Sequence, residues 1–430
     1  MKKFKIIVLM IMALSLFVVG CSSSDEGSSE DGKVELVAWA WNVNVGALED
    51  AMTMYQEENP NISIKVEDIG RSDVYDKLST GLAAGGVGLP DIVLVEDDRI
   101  QSYLEAFPKG FANLSELGFD QHKQNFPNFK NELASLNDSY YAMPFDAGPG
   151  GMFYRRSIFN EAGVDVDSIE TWDDFFEAGK EIKEKTGVYA MSLDKFKDDP
   201  TFRMMLNQLG IFYFDEAGNI DLTHPKAVQA MEMIKKFGEA DLIKDVDGWN
   251  GTVSATVDGS TAAIPFGAWY YGTIIDQAKD TAGDWGVFLL PAFEEGGNRA
   301  SNLGGSSFMV LEASKKKQAA YEFMEFFTTE SDVQIMAMKD YGLFPSLSSA
   351  YEADIFTEEI EFFGNQPIWK LFADEMADVE TPYFTKDFSI GLDEAIKAQA
   401  SVFNGEDPAT ALQESANRLA DRTERELNQY

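Results

Sequence analysis

The stretch LPDIVLVEDD, residues 89–98, joins a helix breaker, an unbroken apolar run and three consecutive acids. Pro90 stops whatever precedes it, and 91–95 (DIVLV) is short, β-branched and apolar. Such a run reads as a strand buried on both faces. Upstream, 34–41 (VELVAWAW) is a second apolar run. Leu48, Ala51, Met52 and Tyr55 then keep helical spacing until Pro60, and Ile62, Ile64 and Val66 alternate with polar residues. A further helical stretch covers 74–84. Strand, helix, strand, helix, strand predicts an α/β protein with a parallel sheet covered on both faces. Ligands of such sheets bind beyond the carboxyl ends of the strands. Glu96, Asp97 and Asp98 are therefore candidate ligand contacts, the alternative being a solvated acidic loop.

The same grammar continues downstream. Thr171-Trp172-Asp173-Asp174 has the form of a capping box with Asp in place of Glu. Two further strands are predicted at 285–291 and 307–311. A helix then buries Ala319, Ala320, Phe323, Met324 and Phe327, and from about residue 355 the chain reads as mainly helical.

The 430 residues suggest two or three units of ordinary domain size. A net charge of −38 argues against nucleic acid as a partner, which needs Lys and Arg clustered on one face. At the N-terminus Lys2, Lys3 and Lys5 precede an apolar run over 6–19, short for a bilayer span and of secretory length. It ends at Gly20-Cys21, and Cys21 is the only cysteine. A lone thiol there resembles the lipobox of bacterial lipoproteins, which implies a leader over 1–20 and lipidation of Cys21. Two acyl chains anchor firmly. Residues 22–32, SSSDEGSSEDG, hold nothing to bury and are predicted to be a tether.

Catalytic motifs are scarce. His122 and His224 are far apart and read as surface or turn residues. The glycine-rich 81–88 follows a helix and precedes a strand, the reverse of a phosphate loop, so it reads as a helix cap and turn. The segment DEAGNID at 215–221 lacks calcium-loop spacing and reads as a turn at Gly218. No metal or cofactor is expected. Paired carboxylates for glycoside hydrolysis stay open as the enzymatic alternative, because 73 acids give no separations by themselves.

A neutral sugar needs directional polar groups for its hydroxyls and aromatic rings for its C–H faces. Trp41-Asn42, Trp249-Asn250 and Trp269-Tyr270-Tyr271 sit where strands or helices end, although any one of them could be a core ring.

Several blocks carry a family resemblance: AWAWN at 38–42, NPNISIKV at 59–66, LPDIVLVEDD at 89–98, YYAMPFDAGPGGMFYRRSIFNEAGVD at 140–165, TWDDFFEAGKEI at 171–182, FGAWYYGT at 266–273, the run at 301–327 and YGLFP at 341–345. In order and spacing the chain beyond the tether resembles the extracellular sugar-binding proteins of ABC importers, of the maltose-binding type. VLVEDD, MPFDAGPGG, YFDEAG and SNLGGSS look most like its lactose-binding branch. The resemblance implies a two-lobed periplasmic-binding-protein-like fold of type II, with the ligand in a cleft between hinged lobes. The lobes would be 33–147 with 296–329, and 148–295 with 330–430. Crossings would fall at 146–150, 291–302 and 328–332.

It further implies ligand contacts at Trp41, Asn42 and Asn44, at Glu96, Asp97 and Asp98, at Asp146 and Trp269, and at Asn302, Gly304 and Gly305. Trp369 and Tyr383 are added from the C-terminal helices. Implied partners are a small carbohydrate and a permease with its ATPase. The protein would be a non-enzymatic monomer on the extracellular face of the cytoplasmic membrane, with no nucleic acid.

Overall fold

The computed structural model describes residues 32–430. The expected leader, Cys21 and all but the last residue of the expected tether lie outside the described residues.

β1 (Val34–Ala40) leads through α1 (Val43–Tyr55) to β2 (Ile62–Asp68), α2 (Arg71–Ala83) and β3 (Ile92–Glu96). This is the predicted order. β1 lies parallel to both neighbours, with Ala38 opposite Val66 and Ile92. On α1 the buried face holds Leu48, Ala51, Met52 and Tyr55, the residues whose spacing marked the helix. α3 (Asp97–Ala106) starts directly at the end of β3, so Asp97 and Asp98 occupy its first turn, where the helix dipole favours negative charge. After α4 (Asn128–Leu133) and β4 (Met143–Asp146) the chain crosses into a second body at β5 (Gly150–Arg155).

That body contains α5 (Trp172–Thr186), β6 (Tyr189–Leu193), α6 (Pro200–Gln208), β7 (Ile243–Asp245), α7 (Gly248–Val257), β8 (Thr261–Gly267) and β9 (Trp285–Phe288). The chain returns through β10 (Ser306–Val310), α8 (Lys317–Thr329) and α9 (Ser331–Tyr341). Helices Ile368–Glu375, Phe388–Phe403 and Pro408–Thr423 follow.

The first sheet runs β2-β1-β3-β10-β4 and the second β9-β5-β8-β6-β7. Neither is wholly parallel. β10 runs antiparallel to β3 and β4, and β5 antiparallel to β8 and β9. The antiparallel pairs involve strands that arrive from, or leave for, the other body, a direction that local hydropathy does not encode.

The connections pair with each other. Gly150 N donates to Ser301 O (2.8 Å), and Leu303 N donates to Gly148 O (2.7 Å). A Cβ on Gly148 would stand 2.1 Å from Leu303 O, so only glycine permits that approach. A third segment joins them, with Ala147 N donating to Phe344 O and Ser346 N to Phe145 O, each at 2.9 Å. That places it at 343–346, later than the expected 328–332. α9 stays with the first body, packing Val333 and Ala337 into its core against α1. The tail therefore leaves the first body about one helix beyond the expected boundary at residue 330.

Each sheet has its own core, and a third apolar cluster lies between them. It joins Phe129, Leu133 and Ala147 to Phe153, Trp285, Leu303 and Phe344. Around 81–88 the chain turns through Gly85, Gly86 and Gly88, all at positive φ, and Phe214 bridges Ile220 across the turn at Gly218. His224 caps a helix by accepting from Lys226 N, while His122 bonds Glu325 at 2.7 Å. Among the described residues no helix is long and apolar enough to cross a membrane.

Candidate functional site

A cavity of about 220 Å³ opens between the two bodies at the carboxyl end of β3. The first body contributes Arg71 at the start of α2, with Glu96 and Asp98 at the junction of β3 and α3. The second contributes Asp198, Pro200 and Arg203 around the start of α6, Trp249 on α7, and Phe266 and Trp269 at the end of β8. The return crossing adds Asn302, Leu303, Gly304 and Gly305, and Phe212, Pro382 and Phe384 complete the wall.

One side is aromatic. Trp249 and Trp269 have ring centroids 5.9 Å apart and planes 32° from parallel, and Phe266 meets Trp269 edge-on at 5.0 Å. Trp269 is held by its Nε1–H, which donates to Leu303 O at 2.8 Å. Gly304, at φ +94°, brings its backbone against that same nitrogen. Trp249 is 47% exposed, unusual for so large a ring, and its face is available to a guest.

The opposite side is polar, with its charges compensated. Arg71 Nε donates to Glu96 Oε2 (2.6 Å), which also accepts from Tyr75 Oη (2.9 Å). Arg203 donates to Asp199 Oδ1 (3.0 Å) and Asp198 Oδ1 (3.1 Å). Asp98 differs. Its Oδ1 is buried without a hydrogen-bond partner, and Arg99 Nε, 3.9 Å away, is too far to supply one. Burial first, and then the negative Glu96, push the Asp98 carboxyl up to about 6 against the pull of Arg99, Arg203 and Arg71. Asp98 lines the cavity, and its unsatisfied oxygen leaves hydrogen-bonding capacity unused in that wall.

The cavity gathers Glu96, Asp98, Trp269, Asn302, Gly304 and Gly305 from the expected set. Asp97 turns the other way and bonds Lys130 Nζ at 2.5 Å and Ser307 Oγ at 2.8 Å. Asp146 accepts from Ser306 N (2.7 Å) in the same polar knot beneath the crossing, and burial raises its carboxyl to about 6. Trp41 is buried edge-on against Tyr75, and Asn44 donates to Trp41 O at 3.2 Å. Asn42, at φ 51°, is exposed beside them. Trp369 is buried against Tyr271, and Tyr383 lies in an adjoining groove. Arg71, Arg203, Phe212, Phe266 and Phe384 carried no signal. Trp249 did, through its Gly-Trp-Asn setting.

Two sheets linked by paired crossings, with a cavity between them that both bodies wall, define a two-lobed binding protein for a small solute. The chain belongs to the bacterial extracellular solute-binding protein family, whose model matches residues 50–364. It is 36% identical over 354 residues to the lactose-binding protein of Rhizobium radiobacter, covering 80% of this chain and 82% of that protein. Against the arabinooligosaccharide-binding protein of Bacillus subtilis strain 168 it is 26% identical, covering 97% and 99%. Among solved structures, an extracellular solute-binding protein of family 1 superposes with a TM-score of 0.79 at 26% identity, covering 90% of this chain and 99% of that one.

Proposed function

We propose that this protein captures a neutral carbohydrate between its two bodies and hands it to the permease of an ABC importer. The observation that carries the reading is the cavity itself. Neighbouring tryptophans on one wall suit the C–H face of a sugar ring, and the Asp98 carboxyl lining the other, with hydrogen-bonding capacity unused, suits a sugar hydroxyl. Both lining arginines are already paired, Arg71 with Glu96 and Arg203 with Asp198 and Asp199, so neither demands an anionic guest.

Lactose or a similar β-linked galactoside is the first candidate, from the lactose-binding relative, and arabinose oligomers are the second. Asn302 joins the contacts because its Oδ1 accepts from Gly148 N at 2.9 Å, so a ligand bonded there also touches the crossing. Export behind a cleaved leader, anchoring through Cys21 and action as a monomer outside the cytoplasm complete the reading.

The relatives reported above are named for binding, and none for hydrolysis. The test is calorimetric titration with lactose and with galacto- and arabino-oligosaccharides, followed by chromatography of the mixture. Stoichiometric heat with intact sugar is expected. Cleaved sugar would instead establish the hydrolase alternative, and absence of heat across the panel would remove the carbohydrate.

A further inference from the structure

We propose that a small pocket at Ser192, beside Trp249, receives the hydroxymethyl group of a hexose, so that the site selects hexose-built sugars over pentose-built ones. The inference rests on the carbohydrate reading above and names the sugar class within it. The pocket measures about 60 Å³ and lies in the second body, near the carboxyl ends of the parallel strands β6 and β8. Asp198, Pro200, Trp249 and Phe266 wall both this pocket and the cavity between the bodies, so the two spaces are neighbours. The pocket is far below the roughly 300 Å³ at which small-molecule sites begin, so no second sugar ring fits. It exceeds the roughly 10–15 Å³ that a single water requires, which leaves room for one short side group.

Its chemistry is that of a hydroxyl set among apolar walls. Ser192 is only 4% exposed, and its Oγ has no hydrogen-bond partner. The nearby Asp194 is already engaged by backbone donors. Its Oδ1 accepts from Phe196 N (3.0 Å) and Lys197 N (2.9 Å), and its Oδ2 accepts from Gly248 N (2.6 Å). Thr252 donates its hydroxyl to Gly248 O at 3.1 Å. Ile264, Pro265 and Phe266 make much of the remaining wall apolar. A water is best held by two to four polar partners, which such a lining supplies poorly. A hydroxymethyl group matches it better, with a methylene for the apolar wall and one hydroxyl to pair with Ser192. Trp249 supplies the approach. A pyranose lying on that ring carries its hydroxymethyl at the sugar's edge, and Trp249 is itself part of the pocket wall. A pentopyranose has hydrogen in that place and leaves Ser192 unpaired.

The experiment is calorimetry on the full chain with lactose and two analogues, one with L-arabinopyranose in place of galactose and one with xylose in place of glucose. Each analogue lacks a single hydroxymethyl group and is otherwise unchanged. One of them should bind at least tenfold more weakly than lactose. Ser192→Ala, which trims one buried hydroxyl, should narrow that gap to about threefold or less. Ser192→Val, which fills the pocket with a side chain that suits a strand, should abolish it. Equal affinity for lactose and both analogues overturns the proposal, as does a gap that both variants leave untouched. Arabino-oligosaccharides that bind more tightly than lactose would overturn this inference alone and leave the carbohydrate reading standing. If no saccharide of either series binds, the carbohydrate reading falls with it.

Discussion

Asp97 and Asp98 are adjacent on one helical turn and meet opposite surroundings. Asp97 points under the crossing, where Lys130 neutralises it, while Asp98 lines the cavity and keeps one buried oxygen unpaired. Unfolded, an aspartate titrates near 3.8, and folded Asp98 titrates near 6. The folded chain therefore holds this proton more tightly, and its contribution to stability is fullest below 3.8 and is lost as pH rises through 6. Binding runs the other way, because a ligand hydroxyl donates to the ionised form. The groups facing Asp98 are Glu96, Arg71, Arg99 and Arg203, and the three arginines keep their charge throughout. Affinity should climb between about pH 5 and 7, and Asp98→Asn should flatten the profile; an unchanged slope in that variant would remove Asp98 from the contact. Trp269→Ala deletes the anchored ring and should cost about 2–4 kcal/mol of binding by calorimetry, the range for a buried aromatic hot spot.

At the scale of elements, α5 opens with both halves of a capping box. Asp174 N donates to Thr171 Oγ1 at 3.1 Å, and Thr171 N donates to Asp174 Oδ2 at 2.8 Å. Thr171→Ala should lower unfolding stability in urea by about 1 kcal/mol. Lys130 is the harsher case, since it is fully buried and also donates to Asp146 O (2.8 Å) and Ser306 O (3.1 Å). Lys130→Met should cost about 3–5 kcal/mol, because Asp97 stays behind as an unpaired buried charge. Much of this architecture was legible: apolar runs and helical spacing located β1 to β3 and α1, and the end of β3 pointed to Glu96 and Asp98. Strand direction was not, because an apolar run reads the same both ways. Arg71 and Arg203 escaped notice because a helical arginine has the same pattern whether it faces water or a cleft. Lys130 heads the polar KNE between Phe129 and Leu133, and only tertiary structure buries it. Trp369, expected as a contact through the family resemblance, packs against Tyr271, 4.5 Å away.

Across the whole molecule, what holds the bodies together decides how a ligand can act. Two polar contacts run from α3 to the second body: Ser102 Oγ donates to Lys386 O at 3.2 Å, and Arg425 Nη2 lies 3.7 Å from Glu105 Oε2. The ion pair is only partly exposed, and a single pair at 3.7 Å there contributes about 0.2–1 kcal/mol, which salt weakens further. Apart from the apolar cluster around the crossings, contacts of that size add little against the freedom gained on opening. The larger bias must come from a guest that touches both walls, since a ligand shifts an equilibrium only by its differential affinity for the two states. Ligand-free protein in small-angle scattering should therefore show a larger radius of gyration than protein saturated with its sugar. Raising the salt from 0.15 to 1 M should change the ligand-free curve little, because the Arg425–Glu105 pair contributes so little. Superimposable curves with and without a ligand that calorimetry shows to be bound would mean that the bodies are already rigidly docked. The paired crossings at 148–150 and 301–303 would then act as struts, with no hinge between the walls.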